Sequence, residues 1–510
     1  MSVIDQKWRE RVVAGLLIVH AGLVGWISLR MSPTMDEGGH LAAGLYAWKF
    51  GRFDVYRVNP PLVRMIAALP VVACDPCMRW DVYAAGPAAR PEWSLGDRLI
   101  EAIDRGDRAW FWSFVTARWA CIPLSLVGGY TCWRWATDLY GANAGLVALG
   151  LWCFSPNMLA WTATICPDAG AAAVGVSACY VYWRWLQGPS WSRAAGAGVG
   201  LGLALLTKTT WIILLGVWPL LWLVWRWDGK GRDSREVGRA SCGQLIAIFV
   251  LGTYLLNAGY AFEGSFKRLG EYVFVSRSFG VGESRASSGS GGNRFAGTWL
   301  ARVPVPMPAN YLRGIDLQKA DFEQGKWSYL RGEWKHGGWW YYYVYAALLK
   351  VPLGTWTLGL LAALLSISVR WPTHNGYIRN SSERGANPYW AGWRQELILV
   401  APAVVVFVLV SSQTGFSRYF RYVLPCFPFV FIWISKVARS IRLRHRVTGF
   451  VAGAAFLWSA GSSLWYFPHS MSYINEFKEA AARRADAAGQ TPPSRATFIC
   501  LDVLCEAQFS

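Results

Sequence analysis

Apolar runs of about 20 residues recur from one end of the chain to the other, separated mostly by short polar stretches. The runs predict eleven membrane-spanning helices, near residues 12–29, 110–131, 142–157, 169–187, 194–207, 210–226, 242–259, 340–366, 396–412, 420–436 and 447–465. The third and fifth runs are short and rich in Gly and Ala. Two polar intervals break the rhythm, about residues 30–109 and 260–339. Intervals of that length without their own structure are uncommon, so both are expected to carry function. Within the first, residues 37–50 and 61–73 have apolar positions at helical spacing, which predicts two surface helices with Trp48, Phe50 and Phe53 at headgroup depth. The second holds a Gly/Ser-rich stretch from Gly280 to Gly292, then Pro304, Pro306 and Pro308, which favour extended chain. The aromatic run Trp339 to Tyr345 reads as an interfacial belt opening the eighth span.

Basic residues orient the array. Lys7, Arg9 and Arg11 precede the first span; Arg226, Lys230, Arg232, Arg235 and Arg239 follow the sixth; Arg370, Arg379, Arg384 and Arg394 follow the eighth. Lys436, Arg439, Arg442, Arg444 and Arg446 follow the tenth. All fall on one side if the N-terminus is cytoplasmic, which puts both long intervals and the tail from about 466 to 510 outside. The first span is too long for a signal-peptide core and reads as a retained anchor. The expected organisation is therefore a transmembrane module over 1–465, with outside loops at 30–109 and 260–339, and a short outside tail at 466–510.

Composition agrees with that picture. Hydrophobic residues make up 54% of the 510 and charged ones 16%, too much apolar surface for a soluble protein. A formal charge of +19 is of the kind nucleic-acid binders carry, but no folded basic module remains to bind it, so no nucleic-acid partner is expected. Eleven cysteines are scattered. Cys121, Cys153, Cys179 and Cys426 lie inside apolar runs and read as small buried hydrophobes. Cys74 with Cys77, and Cys500 with Cys505, are spaced for either disulfides or free thiols. No P-loop, dinucleotide fingerprint, zinc helix or internal repeat is present, and no metal or cofactor site is predicted.

The densest polar constellation is Asp36-Glu37-Gly38-Gly39-His40, just beyond the first span. Four-residue spacing puts Asp36 and His40 near one helix face, while Glu37 points about 100° away. Asp36 is then either a solvated helix cap or a carboxylate turned toward a substrate. Asn59-Pro60-Pro61-Leu62 is a stiff entry to a helix, with Arg64 available to headgroups or to a phosphate. Asp168 caps the fourth span or binds substrate, and Lys208, between the fifth and sixth spans, snorkels or meets an anion. Lys350 lies about ten residues inside the eighth span, where an ammonium needs a partner or a wet cavity. Arg418 and Arg421 stand at the outside entrance of the tenth span, against the orientation rule, which favours an anionic partner such as a lipid phosphate.

These motifs, in this order, resemble a known family. Asp36 to His40, Phe53-Asp54-Val55 and Asn59 to Leu62 look like the first luminal loop of protein O-mannosyltransferases. They are also similar to the corresponding loop of lipid A aminoarabinose transferases, membrane glycosyltransferases of the GT-C fold. Ser155-Pro156 through Asp168, Leu206-Thr207-Lys208, Gly337 to Tyr342 through Lys350-Val351-Pro352, Arg421 to Pro425, and Tyr466 to Glu476 extend the resemblance over about residues 12–478. It implies an all-α polytopic GT-C enzyme that takes sugar from a polyprenyl-phosphate donor, with inversion, on the non-cytoplasmic face of a bacterial inner membrane. The acceptor would be a hydroxyl of an envelope lipid, polysaccharide or protein. By the same resemblance Asp36 is the general base, Glu37 and His40 shape the pocket, and Asp168 positions substrate. The mannosyltransferases carry His before the Pro-Pro pair and Lys after it, and the aminoarabinose enzymes a phosphate-contacting Lys before it. Here Asn59 and Arg64 stand in those places, so the phosphate contact falls to Arg64, Lys208, Arg418 or Arg421. A transporter or flippase of an anionic lipid, using Lys350 and the outside arginines as its pathway, is the alternative.

Overall fold

The computed structural model describes residues 3–74, 78–80, 86–227, 233–281, 292–367, 389–442 and 446–476. Outside them lie Cys77, Cys500, Cys505, Lys230, Arg232, Arg370, Arg379, Arg384, Arg444, the tail from 477 and nearly all of the Gly/Ser-rich stretch.

The helices run in chain order α1 (Val3–Arg30), α2 (Met35–Phe50), α3 (Leu62–Val72), α4 (Pro91–Asp104), α5 (Arg108–Tyr140), α6 (Ala142–Phe154), α7 (Pro156–Thr162), α8 (Pro167–Gln187) and α9 (Trp191–Thr207). They continue with α10 (Leu214–Arg226), α11 (Asp233–Ala258), α12 (Ala309–Gln324), α13 (Tyr342–Lys350), α14 (Leu353–Ile367), α15 (Trp393–Ser412), α16 (Phe427–Ile434), α17 (Arg439–Arg442) and α18 (Arg446–Trp465). One hairpin, β1 (Trp327–Leu330) with β2 (Glu333–His336), turns through Arg331 and Gly332, both at positive φ as a tight hairpin requires. This is an integral, multi-pass, all-α fold: seven of the described helices are long and apolar enough to cross a membrane, and up to nine if two bent pairs each count as one span.

The expected third and eighth spans are those bent pairs. Ser155 caps α7 and Pro156 opens it, so α6 and α7 meet at 56°. At Val351-Pro352 the chain turns by 112° between α13 and α14, so residues 340–366 do not form one continuous rod. Proline has no N–H to continue a helix and disfavours helical geometry in the residue before it. The fourth and fifth expected spans form as α8 and α9 but are not among the seven.

The first long interval is more structured than its pattern predicts. Helices α2 and α3 form, and α4, which the pattern does not predict, packs on α2. The contact is backbone to backbone: a Cβ on Gly38 would lie 2.7 Å from the Gly96 carbonyl oxygen, so only glycine fits. As a result α2 is buried from Glu37 to Ala47 rather than lying on the surface. Trp48 and Phe50 remain exposed, but Phe53 is buried against Tyr260. In the second interval the stretch holding Pro304, Pro306 and Pro308 is not helical, and α12 and the hairpin form beyond it, over 309–336, where the pattern predicts no element. The aromatic belt is also only partial: Trp340 is exposed, while Tyr342 and Tyr343 are core.

Candidate active site

Thr34, not Asp36, precedes the first residue of α2. Two adjacent carboxylates follow in its first turn, where the positive end of the helix favours them. Rotation about the helix axis then separates their fates.

Glu37 turns into the protein. Its Oε1 accepts from Arg118 Nε at 2.7 Å and the Ile165 N–H at 2.9 Å. Its Oε2 accepts from Arg118 Nη2 and the Thr34 N–H, both at 2.8 Å. Arg118 spends its remaining donors on the carbonyls of Ser28, Met31 and Ser32. Burial alone would raise the Glu37 carboxyl; the Arg118 guanidinium together with the Thr34 and Ile165 N–H groups outweighs it and holds the group below its usual range. The pair clasps α1, α2, α5 and the α7–α8 junction together, and Glu37 does not line the cavity on which Asp36 opens.

Asp36 turns the other way, into a cavity of about 220 Å³ that His40, Asn59, Asp168, Lys208, Arg418 and Arg421 also line. Arg421, on the 3-10 segment Phe420–Cys426, is ion-paired to Asp36 across 385 residues of sequence, and its Nε lies 3.6 Å from Asp168 Oδ2. That Nε is a buried donor with no hydrogen-bond partner. Lys208, at the end of α9, is ion-paired to Asp168 in the first turn of α8, with its Nζ 4.9 Å from the Tyr422 ring centre. Arg418 donates from Nε to the Trp327 carbonyl at 3.0 Å. Two carboxylates and two buried cations thus interlock around one space, with a third cation beside them.

Electrostatics follow from that packing. Burial would raise the Asp36 carboxyl, but the surrounding positive groups, Arg421 foremost, together outweigh it and the group sits below its ordinary range. His40 stacks on Tyr56 at 4.5 Å between ring centres, and burial lowers it to about 4, so the imidazole is neutral at physiological pH. Burial likewise drives the Tyr56 hydroxyl well above its usual value, leaving it a neutral donor.

Besides Glu37, two further expected site residues lie outside the cavity lining. Arg64 is buried and donates from Nη1 to the Tyr56 and Asn59 carbonyls, the latter at 2.8 Å, so it fixes the turn that carries cavity residues without reaching the cavity itself. Lys350, at the bend after α13, donates to the Met471 carbonyl at 3.2 Å and is not part of the cavity lining. The opposite wall went unread in the sequence: Arg90, Trp93, Gln318, Asp321 and Lys326. Arg90 donates to Asp321 at 2.8 Å, which ties the first long interval to α12. Gln318 and Asp321, one helical turn apart, were the available signal. Among the described residues no group of three or more His, Cys, Asp or Glu side chains is disposed to hold a metal ion.

A second space adjoins this one. An apolar groove of about 730 Å³ runs between α13–α14, α15 and α16. Phe420 and Val423 line it while their neighbours Arg421 and Tyr422 line the polar cavity, so one short segment forms a wall of both.

Residues 111–252 match the family model described as "Dolichyl-phosphate-mannose-protein mannosyltransferase". That stretch runs from the start of the second expected span into the seventh and contains Asp168 and Lys208, so the resemblance to mannosyltransferases drawn from short motifs is met by a family model over that segment. No curated protein matches the chain by sequence. Among solved structures, ArnT from Cupriavidus metallidurans bound to undecaprenyl phosphate is similar at 15% identity and a TM-score of 0.45, covering 97% of this chain and 75% of that one. ArnT from the same organism in the apo state gives 16% identity and a TM-score of 0.45, with 98% and 75% covered.

Proposed function

We propose that this protein is a membrane glycosyltransferase that moves a sugar from a polyprenyl-phosphate donor to an acceptor hydroxyl, with inversion, on the non-cytoplasmic face. The observation that carries the reading is the shared cavity. A carboxylate (Asp36) and three cations (Lys208, Arg418, Arg421) face one sugar-sized space, and the segment holding Arg421 also walls an apolar groove fit for an isoprenoid chain.

The chemistry divides between those groups. The donor phosphate lies against Arg421, Lys208 and Arg418 with its chain in the groove. Arg421 is ion-paired to Asp36, which makes that carboxylate a weak base. A donor phosphate competes for Arg421 and restores basicity to Asp36 when substrate is present. Asp36 then takes the proton of the acceptor hydroxyl. The acceptor oxygen forms a bond to the anomeric carbon from the face opposite the phosphate, and the carbon–oxygen bond to phosphate breaks. Its electron pair stays on the phosphate oxygen, where the cations stabilise the growing negative charge. Attack from the opposite face inverts the anomeric centre.

The test uses purified full-length protein, labelled polyprenyl-phosphate sugars and an envelope extract as acceptor. The reading expects labelled product whose anomeric configuration, read by NMR, is opposite to the donor's. Retention would reject the single-displacement step. Movement of labelled lipid across vesicles with no transfer to any acceptor would instead establish the transporter alternative.

A further inference from the structure

The opposite end of the bundle carries a second polar space. Helix α5 meets Glu37, the neighbour of Asp36, at Arg118 and runs on to Asp138, twenty residues or roughly 30 Å farther, about the thickness of a bilayer's hydrocarbon core. There the ends of α5 and α8 and the starts of α9 and α15 enclose a cleft of about 540 Å³. Three guanidinium groups line it, Arg134, Arg184 and Arg193, against one carboxylate, Asp138. Asp138 is shared, at 3.3 Å from Arg134 and 3.5 Å from Arg184. Arg193 donates to the carbonyls of Gly188 at 2.9 Å and Arg184 at 3.3 Å, bonds that leave its charge uncompensated. The cleft therefore carries surplus positive charge.

We propose that this cleft holds the phosphate headgroup of an anionic membrane lipid from the leaflet on that side. Guanidinium forks match phosphate oxygens in shape and charge. The setting favours a lipid over a free ion: Trp191 and Trp393, 64% and 54% exposed, open the two helices that frame the cleft. Indoles exposed at helix ends mark the depth of lipid headgroups. The assignment needs only that the helices span a membrane, and it stands whether or not the protein transfers sugar.

Native mass spectrometry of the full-length protein in neutral detergent, titrated with phosphatidylglycerol or phosphatidylcholine, tests it. Wild type is expected to retain phosphatidylglycerol in preference to phosphatidylcholine, and Arg193→Gln to lower that preference about fivefold, one basic residue's share. Arg134→Gln combined with Arg193→Gln should nearly abolish it, and Arg105→Gln, an exposed arginine at the active-site end, should leave it unchanged. If the double variant does not fold, Arg193→Gln alone decides, because that side chain makes only surface carbonyl contacts. Equal retention of both lipids, or an unchanged preference in the Arg193 variant, overturns the proposal. So does displacement of the lipid by equimolar inorganic phosphate, which would make this a free-phosphate site.

Discussion

A half-buried carboxylate, Asp36, and a buried one, Glu396, lie at opposite ends of this bundle, each beside basic and aromatic side chains, and they differ in what surrounds them. Glu396 accepts from Lys436 Nζ at 3.1 Å and 2.9 Å on its two oxygens and from the Tyr140 hydroxyl at 2.8 Å. Lys436 adds Ser366 at 3.3 Å and lies 4.5 Å from the Trp433 ring centre. Neither Glu396 nor Lys436 lines the polar cavity, the apolar groove or the arginine cleft. Asp36 has an ion pair too, but it faces open volume, and its partner Arg421 keeps an unsatisfied donor. Burial and pairing alone therefore do not mark a site, since they also describe a fastener. Vacant space with spare hydrogen-bonding capacity is what makes the Asp36 end a place for a substrate.

The comparison can be broken by exchanging charges at the two ends. Asp36→Asn is expected to lower sugar transfer by about a hundredfold to ten-thousandfold, the usual worth of a positioned base. Glu396→Gln should leave turnover per folded molecule near wild type. That variant fails in stability instead, by about 3–5 kcal/mol, because Lys436 is left buried without its counter-charge. Glu37→Gln should behave like Glu396→Gln although it adjoins Asp36, since Arg118 would lose its partner; thermal unfolding in detergent measures both. If Glu37→Gln instead destroyed turnover at unchanged stability, the division of roles between the two neighbours would be wrong.

A smaller effect is expected from Arg421→Gln, which should raise the donor KM about tenfold to a hundredfold through the lost charged hydrogen bond. A rise confined to the acceptor KM would move the phosphate contact elsewhere. The smallest effect is on pH. The folded His40 imidazole takes a proton only near pH 4, whereas in the unfolded chain it does so near 6.5. Protons therefore favour the unfolded state between those values, and stability should decline as pH falls from 6.5 to 4. Unfolding temperature against pH should show that slope in wild type and a shallower one in His40→Asn. A slope of equal size in the variant would place the titrating group elsewhere.

Much of this was legible in the residues. Spans declare themselves by length and apolarity, and the polar run Asp36 to His40 just past the first span, with Arg418 and Arg421 ahead of the tenth, was enough to nominate both halves of the proposed site. The interval walls were less visible. Arg90, Gln318, Asp321 and Lys326 belong to stretches with too few apolar residues to announce a buried helix, and they become a wall only because α4 and α12 pack over the cavity. Nor does sequence distinguish Asp36 from Glu37 by chemistry: the Arg118 that claims Glu37 lies 81 residues away. The bend at Val351-Pro352 had a local signal in its proline, which the long apolar run around it obscured.

The most direct test measures donor binding and single-turnover transfer together in purified Asp36→Asn protein, using saturating labelled polyprenyl-phosphate sugar. The donor is expected to bind at least as tightly as to wild type, held by Lys208, Arg418 and an Arg421 released from its carboxylate partner, while transfer is lost. Transfer at near wild-type rate would contradict the role of Asp36 as base.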